Sequence, residues 1–257
     1  PRRRDHEYHV EHFESHFYIL TNHEAKNFRV MRTRVDQPQQ DSWEEYIPHR
    51  ADTLVEDLDI FRDYLVLDER RDGLSHIRVM RWDGGADYYL DFNDPTFCAG
   101  VASTTEIDTR EMRYGYTSLT TPTSTYQIDL ATREVQLLKR QPVLGDFDPD
   151  LYVSERHFVT APDGTKVPIS LVYKRDTPIQ QGVPLLLTGY GAYGISSDPY
   201  FSSNRLSLLN RGFAYAIAHI RGGSEMGRHW YEDGKLLKKK NTFTDFIACA
   251  EHLVGLG

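Results

Sequence analysis

Acyl transfer to water needs a nucleophile, a base, and hydrogen-bond donors aimed at the oxygen that gains charge. One segment of this 257-residue chain has the composition to supply such a donor. An apolar run, Pro184 to Thr188, leads into Gly189-Tyr190-Gly191-Ala192-Tyr193-Gly194. The run reads as a strand and the glycines as a turn at its end. Tyr190 carries the first usable donor of that loop, and a glycine on either side leaves room for a substrate backbone. A packed tyrosine in a tight turn accounts for the same residues equally well. The G-x-S-x-G elbow that would present a nucleophilic serine is absent from the sequence. The nearest approach, Gly222-Gly223-Ser224-Glu225-Met226-Gly227, has Met226 where the second glycine must stand.

The elements around the loop must position it. Glu155 to Thr160 and Lys166 to Tyr173 flank Pro162-Asp163-Gly164, a hairpin signal. After the loop come a helical stretch marked by Leu206, Leu208 and Leu209, a strand from Ala214 to Ile220, and an Arg221-Gly222-Gly223 turn. An amphipathic helix follows from Thr242 to Val254, with Phe243, Phe246, Ile247, Ala250, Leu253 and Val254 as its apolar face. Thr242 and Asp245 spell a capping box, and Gly255 a helix stop. Alternating strands and helices predict a largely parallel sheet. Residues 146–257 therefore read as the N-terminal part of an α/β-hydrolase catalytic domain. A serine mechanism on this scaffold expects its nucleophile elbow after Gly257. Arg221 and Glu225 are candidates for ordering the cleft, the simpler reading being an internal Arg–carboxylate pair that holds the turn. Lys238-Lys239-Lys240 reads as a solvated loop.

Residues 1–145 are organised differently. Arg29-Val30-Met31-Arg32 recurs 49 residues later as Arg78-Val79-Met80-Arg81. Phe17 to Leu20 matches Tyr64 to Leu67, and Tyr8 to Phe13 matches Val55 to Phe61. A looser third copy runs through Arg113 to Ser118 and Ser124 to Leu130. Several short strands per unit of about 48 residues are the mark of β-propeller blades. Three blades are visible, with more expected before Pro1. The turn-rich stretch Leu144 to Asp150 is the expected boundary between the two parts.

Charge is uneven. Residues 1–150 hold 18 Lys+Arg against 29 Asp+Glu, a balance of −11; residues 151–257 hold 12 against 9, a balance of +3. The acidic part argues against a nucleic-acid partner and favours steering of cationic ligands. No apolar run approaches the ~20 residues that cross a bilayer, so no membrane partner is expected. Two cysteines in dissimilar segments, Cys98 and Cys249, suggest a reducing, cytoplasmic-type compartment, with export left open. His6, His9, His12 and His16 invite a metal reading, but strand alternation turns His9 away from His6 and His12, so no metal is expected. No Walker or Rossmann motif calls for a cofactor.

Several stretches together resemble the prolyl oligopeptidase family of serine peptidases, and its oligopeptidase B branch most. They are Gly189 to Gly194, Arg221 to Gly227, Trp230 to Lys235, Lys239 to Phe246, Phe17 to Arg29 and Arg113 to Ser118. The resemblance implies a seven-bladed propeller joined to an α/β-hydrolase domain, acting on short peptides and restricting access by folded proteins. Oligopeptidase B cuts after Lys or Arg, so short basic peptides are the implied partners. Tyr190 matches the tyrosine that helps form the oxyanion hole. Asp198 matches an acid implicated in binding a basic residue beside the cleaved position. The family often has a second acid two residues on, where this chain has Tyr200. The Ser-Asp-His triad and the acidic pair that reads the cleaved residue are expected beyond Gly257, so these 257 residues alone are expected to be inactive. A prolyl-cleaving relative and a catalytically silent propeller module are the competing expectations.

Overall fold

A computed structural model describes residues 3–102 and 106–256. Three four-stranded antiparallel sheets come first. They are β1 Tyr8–Phe13, β2 His16–Thr21, β3 Arg29–Arg34 and β4 Glu44–Ile47; β5 Thr53–Ile60, β6 Tyr64–Arg71, β7 Leu74–Arg81 and β8 Asp87–Tyr89; and β9 Phe97–Val101, β10 Glu111–Ser118, β11 Ser124–Asp129 and β12 Val135–Arg140. Each strand pairs with its sequence neighbour, the meander of a propeller blade. The β6–β7 turn is Asp72-Gly73, with φ of 52° and 76°. Positive φ at both central residues matches the twist of the flanking strands.

The first half of β6, Tyr64 to Leu67, lies between two blades and is apolar on both faces. Leu65 and Leu67 pack with Leu20, Val30 and Ile47 of the first blade. Tyr64 and Val66 pack with Met112, Tyr114 and Ile128 of the third. A strand buried on both sides gives an unbroken apolar run. These faces correct one detail of the repeat. Tyr18 and Leu20 face the second blade as Tyr64 and Val66 face the third, so β2 and β6 correspond at 46 residues. The match of Phe17 with Tyr64 is one residue out of step, which in a strand exchanges the two faces. Val30 and Val79 do correspond at 49 residues, and both are fully buried.

The second unit contains β13 Tyr152–Thr160, β14 Lys166–Lys174, β15 Leu185–Thr188, α1 Ser203–Leu209, β16 Ala214–Ala218, α2 Arg228–Glu232 and α3 Lys240–Leu256. The sheet order is β13-β14-β16-β15. Only β15 and β16 are parallel among the described strands, because β14 reverses direction in a hairpin and β16 pairs with it antiparallel. The expected largely parallel sheet is thus a mixed one in this part. Val167, Ile169, Ala216, Ala218, Trp230, Cys249 and Leu253 form its core.

α3 departs from its expected face. Its buried residues are Thr242, Asp245, Ala248, Cys249 and Leu253, whereas Phe243, Ile247 and Val254 are exposed. Thr242 and Asp245 are not a capping box. The helix starts two residues earlier, and both side chains bond the turn after β16. Gly255 lies within the helix.

The two units meet along an apolar seam and several polar ties. Leu119, after β10, packs with Tyr152, Val172, Leu209 and Ile217. Asn27 is buried, donates from Nδ2 to the carbonyls of Arg50 and Ala51, and accepts the Arg228 N–H at 2.8 Å. Lys26 pairs with Glu232 and Arg228 with Glu7 at the exposed rim.

Candidate active site

β15 and β16 run side by side and in parallel, so the loops after them meet at one end of the sheet. There Tyr190, Ser197, Asp198 and Tyr200 line a cavity of about 360 Å³ with Thr188, Tyr215 and Ile217. Openings beyond the carboxyl ends of strands are where α/β sheets bind ligands. Tyr190 is 52% exposed, and its hydroxyl has no hydrogen-bond partner among the described residues. An exposed donor with no internal acceptor is available to an oxygen arriving from outside.

The glycines of the loop serve packing, which corrects the expectation that they clear space for substrate. A Cβ on Gly191 would lie 2.7 Å from Ile220 and 2.6 Å from Thr242, and φ there is +59°. A Cβ on Gly189 would lie 3.0 Å from the Ala218 carbonyl and 3.2 Å from Phe246. The loop is pressed against the end of β16 and the start of α3, and Gly194 N–H donates to Gly222 O at 2.9 Å. Lys239 is not solvated as its charge run suggests: its ammonium donates to the Gly191 carbonyl. That contact fixes the loop one residue after Tyr190.

Arg221 and Glu225 do not pair with each other. Arg221 donates to Asp245 from its backbone N–H at 3.0 Å, from Nε at 2.8 Å and from Nη2 at 2.6 Å, and to Asp163 from Nη1 at 2.6 Å. The bond from Arg221 is the first cause holding the Asp163 carboxyl down, at about 2. Glu225 is 1% exposed and accepts the Ser197 N–H at 2.8 Å through Oε1. Its Oε2 has no partner. Burial pushes the Glu225 carboxyl up to about 7 against the lowering effect of that N–H. Charged carboxylates resist desolvation.

Asp198, next to Ser197, is held from the propeller. Arg70 on β6 donates to Oδ1 at 2.6 Å and to Oδ2 at 3.3 Å, and its Nε donates to Glu56 at 2.9 Å. Burial opposes the Arg70 charge, but Glu56 and Asp198 outweigh it and push its pKa up. Asp198 does not cap α1, whose N-cap is Ser202. Arg70 carries no signal in the sequence, because its partner lies 128 positions away.

His219 also escaped sequence reading. Its Nε2 lies 2.7 Å from Ser170 Oγ, the spacing of a serine–histidine dyad. Both residues have no exposure, and Arg156 donates to the same Ser170 hydroxyl at 3.1 Å. Burial, then Arg156, holds the imidazole pKa far down and keeps it neutral. This dyad cannot reach a substrate; it joins β13, β14 and β16, and Arg156 extends the tie to the Asp72 carbonyl of the second blade at 2.5 Å.

The histidine run at the start of the chain forms separate contacts. His6 precedes β1, so strand alternation does not apply to it; it bonds Thr21, while His9 bonds Glu11 and His16 bonds Ser15. No group of three His, Cys, Asp or Glu side chains among the described residues is placed to hold a metal ion. Cys98 and Cys249 are free thiols. No helix among the described residues is long and apolar enough to cross a membrane.

Propeller blades are tied here to a hydrolase-type sheet with an open loop cluster, and sequence comparison gives the family. Residues 1–141 match the prolyl oligopeptidase N-terminal beta-propeller domain, and residues 199–257 match the prolyl oligopeptidase family domain. The chain belongs to the prolyl oligopeptidase family. It is 44% identical to a dipeptidyl aminopeptidase BI of Pseudoxanthomonas mexicana over all of this chain and 36% of that protein. It is 39% identical to a protease 2 of Moraxella lacunata over 96% of this chain and 35% of that protein. The chain thus spans about a third of the length of these relatives. Among solved structures, oligopeptidase B from Leishmania major superposes with a TM-score of 0.91 at 39% identity, covering 99% of this chain and 37% of that one. Oligopeptidase B from Trypanosoma brucei, in a closed form with covalently bound antipain, gives 0.91 at 40% identity over all of this chain and 38% of that one.

Proposed function

We propose that this chain is part of a serine oligopeptidase that hydrolyses short peptides after Lys or Arg. In this reading residues 1–145 are propeller blades, residues 146–257 begin the catalytic domain, and the triad comes from elsewhere in the full-length protein. Tyr190 donates its hydroxyl to the oxyanion, alongside a backbone N–H. Asp198 reads a positive charge beside the cleaved residue, and Arg221 and Glu225 hold the two loops that carry them. Two free thiols suit a cytoplasmic-type compartment. The observation that carries the proposal is the shared cavity: the partner-free Tyr190 hydroxyl and the half-buried Asp198 carboxylate open onto the same space.

The test is Tyr190→Phe in the full-length protein, assayed with an arginyl-amide reporter. Losing one oxyanion donor elsewhere costs ~10²–10³ in kcat. With a backbone donor still in place, a fall of roughly 10- to 100-fold in kcat with little change in KM is expected. Unchanged kcat, with chemistry rate-limiting, would reduce Tyr190 to a packing residue. Faster turnover of prolyl than arginyl or lysyl substrates by the unmodified protein would replace the Lys/Arg specificity with the prolyl alternative.

A further inference from the structure

We propose that Arg70, on the second propeller blade, is an internal cation that competes with a basic substrate side chain for Asp198. It thereby sets how strongly the protein prefers a positive charge at that position. The inference rests on the reading of Asp198 given above.

Arg70 is fixed, while the carboxylates it serves are reachable. The Arg70 side chain is 6% exposed, against 27% for Asp198 and 33% for Glu56. Nε and Nη1 make short bonds, one to each carboxylate, at 2.9 and 2.6 Å. The second bond to Asp198, from Nη2, is 3.3 Å and is the weakest of the three. Its acceptor, Oδ2, is the oxygen an arriving ammonium or guanidinium would claim first. Asp198 also lines the open cavity, so such a group has a path to it.

Stoichiometry makes the exchange feasible. Two carboxylates share one guanidinium, which leaves an excess negative charge when both are ionised. A second cation at Asp198 supplies the missing charge, but it must sit close to Arg70, and like charges repel more strongly in a partly dry site. Glu56 is the other seat for Arg70 and holds it as Asp198 turns to the newcomer. A substrate with a neutral neighbour makes no demand on Asp198 and leaves the bridge undisturbed. Arg70 therefore acts on one class of substrate, as a positioning residue working through Asp198.

The experiment uses the full-length protein and two reporter peptides that differ only beside the cleaved Arg, one carrying Arg there and one a neutral residue. The readout is the ratio of their kcat/KM values. Arg70→Met is expected to raise that ratio about fivefold, the worth of a partly exposed ion pair. Glu56→Gln, which leaves Arg70 to Asp198 alone, is expected to lower it about two- to threefold. Opposite directions from the two variants cannot come from general destabilisation. A ratio that is unchanged or lowered in Arg70→Met, while Asp198→Asn selectively slows the dibasic peptide, would overturn the competition and leave the role of Asp198 standing. Equal losses on both peptides in Asp198→Asn would remove that role and the competition with it. Should Arg70→Met fail to fold, Glu56→Gln decides alone: a lowered ratio supports competition, and an unchanged or raised ratio overturns it.

Discussion

Arg221 and Arg70 each hold two carboxylates, in surroundings that differ. Arg221 binds Asp245 and Asp163 within one domain. Asp245 has no exposure, takes three N–H groups from the same residue, and lies one helical turn from Thr242, which bonds the Arg221 carbonyl at 2.7 Å. Arg70 binds Glu56 in its own blade and Asp198 across the domain boundary, and both of those acids are partly wet. Beside Asp198, Glu225 keeps a buried oxygen with no partner. A local cluster saturated at its centre, where Asp245 is fully buried, defines a turn, and only its outer acid, Asp163, is open to water. An unsaturated one that spans a boundary can change partners, because water and substrate can replace what is withdrawn.

The sharpest way to break this contrast is to remove the centre of the saturated cluster. Asp245→Ala leaves Arg221 buried without its main partner, and breaking a buried pair costs about 3–5 kcal/mol. The variant should lose that much in denaturant unfolding of the full-length protein, and a loss under about 1 kcal/mol would mean that the turn is held by its glycines.

The next effect belongs to Glu225 and depends on pH. Its folded pKa of about 7 lies above the ordinary value of 4.5. Between these values the folded state holds a proton that the unfolded state has released, so stability falls as pH rises. This contribution is fully present below pH 4.5 and is lost through pH 7. A difference of that size corresponds to about 3 kcal/mol. Glu225→Gln should gain on the unmodified protein by about that amount between pH 4.5 and 8 in paired unfolding titrations. Partly buried Asp59 and Asp68, pushed up to about 6 and about 7 chiefly by desolvation, slope the same way, and the paired comparison cancels them. A pH-independent difference would show Glu225 ionised throughout.

The smallest effect is at the wet edge of the saturated cluster. The Asp163 side chain is 46% exposed, and exposed pairs contribute about 0–1 kcal/mol. Asp163→Asn should cost less than about 1 kcal/mol and should be hardly felt in high salt. A larger loss, persisting at 1 M salt, would make Asp163 an equal partner of Asp245.

What could be read from the chain follows the physics of each element. β6 announced itself because its first half, packed between two blades, is apolar on both faces, and β7 because its buried Ile77 and Val79 alternate with polar residues. β12 did not, because all six of its residues are exposed. The valines of the repeated Arg-Val-Met-Arg sequences occupy equivalent positions, yet the neighbouring apolar strands misled by one residue, since four apolar residues in a row do not say which face each serves. α3 was legible as a helix but not in orientation. Its inward face spends two positions on Thr242 and Asp245, which bind backbone and guanidinium, and apolar periodicity counts such positions as outward. The loop that carries Tyr190 was legible because a glycine-rich turn after a strand is a local signal. Arg70 and Lys239 were missed because their partners are set by folding and not by spacing.

Asn27 has a mechanical consequence. Its one amide grips the chain between the first two blades and the first turn of α2, and its own carbonyl accepts the Val55 N–H at 3.1 Å. It is 2% exposed, so these bonds face little competition from water and are little affected by salt. The Lys26–Glu232 and Arg228–Glu7 pairs around it are wet and screened. Among the polar ties across the boundary, the buried bonds of Asn27 should therefore be the last to yield to salt, and the exposed pairs around it the first.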